Sequence, residues 1–144
     1  MESKNDENCF GAFQLSDGGT LQYGFDYTDS NATVICRIDK KGNIVFHKKL
    51  HYPFYNIFSA ALSHHNEIVM FTQVLNGSNY ETRLSKWDIN GNLIWQLPFT
   101  NSNFATLSID KNDNILLYNI GAYRVLFDNL MCYKVSESGI ILDQ

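Results

Sequence analysis

Four histidines, three cysteines and fifteen carboxylates are the side chains with which this 144-residue chain could do chemistry, and their spacing decides which chemistry. His64 and His65 fall together in a turn, while His47 and His51 flank the end of a strand. No His-x-x-x-His, His-Glu or Cys-His spacing is present to gather zinc ligands, so the pair reads as a solvated turn and no metal is expected. Asp110-Lys111-Asn112-Asp113-Asn114 alternates oxygen donors as a calcium loop does. Ile115 stands at the sixth place, where that loop needs glycine, and Gly121 at the twelfth, where it needs an acid. A hairpin turn accounts for the segment without calcium. Cys9, Cys36 and Cys132 are an odd number at wide spacing, without Cys-x-x-Cys, and read as buried free thiols of a reducing compartment. With no Gly-x-Ser-x-Gly, no phosphate loop and no Ser, His and Asp set that a repeat would bring together, neither catalysis nor a cofactor is expected.

The elements that would position these residues come from an internal repeat. Leu15-Ser16-Asp17-Gly18-Gly19-Thr20-Leu21 aligns with Leu62-Ser63-His64-His65-Asn66-Glu67-Ile68 and with Ile109-Asp110-Lys111-Asn112-Asp113-Asn114-Ile115, in two steps of 47. Arg37-Ile38-Asp39-Lys40-Lys41-Gly42-Asn43 aligns with Lys86-Trp87-Asp88-Ile89-Asn90-Gly91-Asn92 and with Lys134-Val135-Ser136-Glu137-Ser138-Gly139, in steps of 49 and 48. Each repeat reads as four strands. The first strands are Phe10 to Leu15, Ile57 to Leu62 and Phe104 to Ile109; the second are Thr20 to Asp26, Glu67 to Val74 and Asn114 to Ile120. The third are Ala32 to Asp39, Glu81 to Asp88 and Leu130 to Ser136, each running into a turn with Gly42, Gly91 or Gly139. The fourth carry Ile44-Val45-Phe46, Leu93-Ile94-Trp95 and Ile140-Ile141-Leu142, and Pro53 and Pro98 are expected just after a fourth strand. No segment sustains a helical period, so the chain is predicted all-β with about twelve strands.

At 44% hydrophobic and 14% aromatic residues the chain can fill a core, as a polar tail (1–8) and one domain (9–144) of three repeats, about 9–53, 54–101 and 102–144. A net charge of −4 with scattered lysines and arginines excludes a nucleic-acid stripe. Short apolar runs and a polar, acidic N-terminal stretch predict neither a membrane span nor a secretion signal, hence a cytoplasmic protein.

Three four-stranded repeats suit a β-trefoil by length, but the residues favour another fold. Leu15-Ser16-Asp17-Gly18-Gly19, then Gly24, then Arg37-x-Asp39-x-x-Gly42-Asn43 resembles the bacterial β-propeller repeat whose blades read Ser-Asp-Gly-Gly … Lys-x-Asp-x-x-Gly-Asn-x-x-Trp. The second repeat carries its back half as Lys86-Trp87-Asp88-Ile89-Asn90-Gly91-Asn92-Leu93-Ile94-Trp95, while the third has Ser136 for the Asp and Leu142 for the Trp. The resemblance implies three propeller blades and says nothing of chemistry. Three blades leave two terminal faces uncovered, and Cys9-Phe10-Gly11-Ala12-Phe13 and Ile140-Ile141-Leu142 read as surfaces made for covering. A head-to-tail homodimer completing a six-bladed ring is the expectation, with a piece of a larger propeller as the other way to such ends.

The uneven connections after the second and fourth strands would open on one face of a propeller. They hold Tyr27, Asp29, Asn79, Tyr80, Tyr123 and Arg124, and the aromatic junction Tyr52, Phe54 and Tyr55. Tyrosine and arginine at loops carry interface energy, because they bury much area at little rotamer entropy. Phe54 and Tyr55 suit the core equally well. Arg37, Lys86 and Lys134 share one strand position and suggest a structural task, such as pairing with Asp39 and Asp88. The expected function is a non-catalytic module that binds a protein partner, in the manner of an inhibitor or immunity protein; a lectin with repeated sugar sites is the alternative.

Overall fold

One turn is built six times among the described residues. In Leu15–Gly19, Asp39–Asn43, Ser63–Glu67, Asp88–Asn92, Asp110–Asn114 and Ser136–Ile140, the first N–H donates to the fifth carbonyl and the fourth N–H to the first carbonyl, at 2.7–3.1 Å. The fourth residue, Gly18, Gly42, Asn66, Gly91, Asp113 or Gly139, has φ between 58° and 87°. That is a type I turn followed by a left-handed residue, a three-residue hairpin connection that matches strand twist. In five of the six, an Asp or Ser at the first place accepts N–H groups of the turn through its side chain. Leu15 cannot do so, and there Asp17 Oδ1 accepts from the Gly19 N–H at 2.8 Å instead.

The computed structural model describes residues 7–26, 32–50, 54–76, 79–99, 106–118 and 132–143. They form twelve strands: β1 (Glu7–Gln14), β2 (Thr20–Asp26), β3 (Ala32–Ile38), β4 (Ile44–Leu50), β5 (Phe54–Leu62), β6 (Ile68–Asn76), β7 (Asn79–Trp87), β8 (Leu93–Phe99), β9 (Thr106–Ile109), β10 (Ile115–Tyr118), β11 (Cys132–Val135) and β12 (Ile141–Asp143). Each run of four makes one antiparallel sheet in chain order, and no helix occurs among the described residues. Every ladder there joins strands adjacent in sequence. A β-trefoil closes its barrel by pairing strands of different repeats, so that alternative is not met.

The second sheet is the middle layer. Ile68, Met70, Val74 and Trp87 join Leu21, Phe25, Ile35 and Leu50 of the first sheet in one core. Val69, Phe71, Leu84 and Phe99 join Leu107, Ile115, Leu117 and Val135 of the third sheet in another. β6 buries both faces, which is why Ile68-Val69-Met70-Phe71 is apolar without alternation. Each such side chain contributes about 1.5–3 kcal/mol by leaving water.

The details correct several expectations. The left-handed position pairs Gly18 with Asn66, not His65, so the first step between repeats is 48; the likeness of Leu15-Ser16 to Leu62-Ser63 had shifted it by one. Pro98 lies inside β8, opposite Arg83, and is tolerated because β8 is an outermost strand. The place of Phe46 and Trp95 is taken in the third sheet by Asp143, not Leu142, because Arg37, Lys86 and Lys134 pair with Phe46, Trp95 and Asp143 in turn. Cys9 is exposed and Cys36 and Cys132 are half-buried, none of them in a disulfide. Val45, Ile94 and Leu142 are 52%, 46% and 54% exposed, so an apolar outer strand belongs to every sheet and not to the chain's end alone. Where the second sheet presents Ile68, Met70 and Trp87 to its neighbour, the outer face of the first presents Thr20, Gln22 and Ile38. That terminal face is a more polar copy of an internal one.

Candidate functional site

Most of the loop residues expected to bind fall outside the described residues: Tyr27, Asp29, Tyr52, Tyr123 and Arg124. Phe54 and Tyr55 enter β5 by backbone alone, leaving Asn79 and Tyr80, both exposed, at the start of β7. The described structure gathers polar chemistry elsewhere, where turns of neighbouring sheets meet.

Asn66, held at φ 61°, reaches back to the first sheet: its Oδ1 accepts from the Ser16 N–H at 3.1 Å and its Nδ2 donates to Ser16 Oγ at 2.7 Å. Asp113, at the equivalent turn position with φ 58°, reaches back to the second sheet in the same way. Its Oδ1 accepts from the His64 N–H at 3.0 Å and faces His64 Nδ1 at 2.8 Å. The non-glycine residues at these strained positions thus tie one sheet to the next.

The second tie differs from the first in charge. Asp113 is only 7% exposed, and its Oδ2 lies 3.4 Å from His65 Nε2. Glu137 Oε1, from the β11–β12 turn, stands 3.9 Å from that same His65 nitrogen. Behind them Lys86, 3% exposed, places Nζ 2.5 Å from Glu67 and 3.7 Å from Glu137. Trp95 Nε1 donates to the Glu137 carbonyl at 2.9 Å and fixes the turn that carries it. Burial works to raise the Asp113 carboxyl, but the N–H and ring of His64 and the nearby charge of both histidines outweigh it and hold the group below the ordinary carboxylate range. Lys86 faces two carboxylates, Glu67 and Glu137, and with Asp113 the cluster holds three carboxylates to one lysine, a surplus of two negative charges when the histidines are neutral.

Arg37, Lys86 and Lys134 do share a task, but with other partners than expected. Arg37 meets Asp17 at 2.7 Å, Lys86 meets Glu67, and Lys134 stands 3.6 Å from Asp110, each cation reaching the β1–β2-type turn of its own sheet. Asp39 and Asp88 are occupied in their own turns, where Asn43 and Asn92 donate backbone and side-chain hydrogen bonds to them.

A concavity lies on the outer face of the first sheet. It is a groove of about 300 Å³ lined by Cys9, Gln22, Val34, Cys36, Ile38 and His47 among others. Its mixed lining holds no paired acid and base. Sequence spacing could not reveal the histidine and carboxylate cluster, because its members come from three turns and His64 and Asp113 are 49 residues apart.

No helix among the described residues is long and apolar enough to cross a membrane. No protein-family model matches the chain, and no curated protein matches it.

Proposed function

We propose that this chain is a non-catalytic interaction module: three β-propeller blades that dock head to tail with a second copy into a six-bladed ring and present loops to a protein partner. The observation that carries the reading is charge at the open seam. At the internal seams, the second residue of one inner turn meets the fourth of the next (Ser16 with Asn66, His64 with Asp113), and an outer-strand aromatic lies over a turn glycine (Phe46 on Gly91, Trp95 on Gly139). Carried one step further, these positions set Lys111 of one copy beside Asp17 and Gly18 of the next, and Asp143 beside Gly42 with its neighbours Lys40 and Lys41. Nothing stands within 4 Å of a Cβ built on Gly42, so that place is open. Both contacts pair opposite charges only in the head-to-tail sense. The more polar outer face of the first sheet suits a reversible contact.

Light scattering at micromolar concentration checks the assembly. The expected mass is twice the 16.5 kDa of the chain. Asp143→Lys should shift it toward one chain, and adding Lys41→Glu should restore the dimer. A wild-type monomer under these conditions overturns the ring, and glycan binding at about three sites per chain would replace the protein-binding reading with a lectin.

A further inference from the structure

We infer that the seam between the second and third sheets is a binding site for a divalent transition-metal ion, with His65 Nε2, Asp113 Oδ2 and Glu137 Oε1 as ligands. These three atoms lie within 4.8 Å of one another. Two ligands on a tetrahedral zinc ion, each about 2.0–2.2 Å from it, stand roughly 3.4 Å apart. The His65–Asp113 edge is already 3.4 Å, and the His65–Glu137 edge is 3.9 Å. The Asp113–Glu137 edge lies within 4.8 Å, so the Glu137 side chain, 50% exposed, closes the set by swinging inward. The site lies at the surface, with the His65 side chain 64% exposed.

The surroundings fit a metal better than a plain tie between sheets. Asn66 makes the equivalent link at the first seam with a neutral amide, so a carboxylate at 113 exceeds what the link requires. The three ligand positions have counterparts at that first seam in Asp17, Asn66 and Ile89, which form no such set. His64 holds Asp113 Oδ1, leaving Oδ2 oriented toward the ion, which is how outer groups prepare a ligating carboxylate. Lys86 engages Glu67 and so keeps it out of the ligand set. The surplus of two negative charges matches a divalent cation. An imidazole nitrogen with two carboxylate oxygens favours zinc, nickel or copper over calcium and magnesium, which take oxygen alone.

The test is calorimetric titration of chelator-treated full-length chain with Zn²⁺, in a Cys9→Ser background so that the exposed thiol does not compete. One saturable site per chain is expected, with a rise in melting temperature on loading. Asp113→Asn should weaken binding at least tenfold while the fold stands, because Asn already serves at position 66. His65→Ala and Glu137→Gln should each weaken it at least tenfold, and His47→Ala, on the first sheet, should not. Absence of saturable binding, or unchanged affinity in Asp113→Asn, overturns the site and leaves an ion-paired seam.

Discussion

Asp110 and Asp113 sit three residues apart in one turn, and acid acts on them through different partners. The Asp110 carboxylate accepts from the Asn114 side chain and from the N–H groups of Asn112 and Asn114, which with Lys134 nearby hold its pKa at about 2. A group whose folded pKa lies below its unfolded value adds stability above the unfolded value and loses it as pH falls through the folded one. The Asp110 contribution is therefore complete above the model-peptide value of 3.8 and disappears as pH falls from there to about 2. Asp110→Asn keeps the turn's acceptor oxygen but does not titrate. Urea midpoints measured across this window should fall less steeply in Asp110→Asn than in wild type; parallel curves would count against the assignment.

At the scale of the element, the turn glycines are not equivalent. Gly42 and Gly139 share φ values of 87° and 83°, so a β-carbon at either costs about 1–2 kcal/mol in backbone strain. At Gly139 that carbon would also stand 2.9 Å from Trp95 Cδ2, because the indole of the second sheet lies over the turn of the third. Gly139→Ala should lower stability by about 1–3 kcal/mol more than Gly42→Ala, the cost of displacing a packed ring. Denaturant melts of the two variants check this, and equal losses would show that the indole does not press on the turn. These turns were legible in the sequence because only a few residue types accept positive φ, and Asp, Ser and Asn mark the caps around them. The boundaries of β2 were legible for the same reason. Pro98 was not, since an outer strand accepts proline and no local pattern distinguishes the inside of such a strand from its end. The Asp143 position was hidden because Ile140 stands where the other two sheets have Asn43 and Asn92, so the apolar run of the third begins one residue early; the shift in register before the fourth strand is common to all three sheets. The cluster at the second seam was not legible either, because it depends on which turns face each other after the sheets stack.

At the scale of the whole molecule, every described strand pairs with a strand adjacent in sequence, while each core joins residues of two sheets. Ladder formation needs only short loops to close, whereas stacking must bring together segments nearly a repeat apart. Folding should accordingly proceed as hairpins first and docking of finished sheets afterwards, with the seams absent from the rate-limiting step. Met70, fully buried where the second sheet meets the first, reports on this order. In stopped-flow measurements, Met70→Ala should speed unfolding while leaving the refolding rate nearly unchanged. A matching fall in the refolding rate would place docking inside the barrier. The same order gives the half-formed chain a hazard of its own: sheets finished before they are stacked expose both faces, and a sheet from a neighbouring chain carries an equally good mate. Any interval between finishing and docking would then favour exchange of whole sheets between copies, at a rate that rises with concentration.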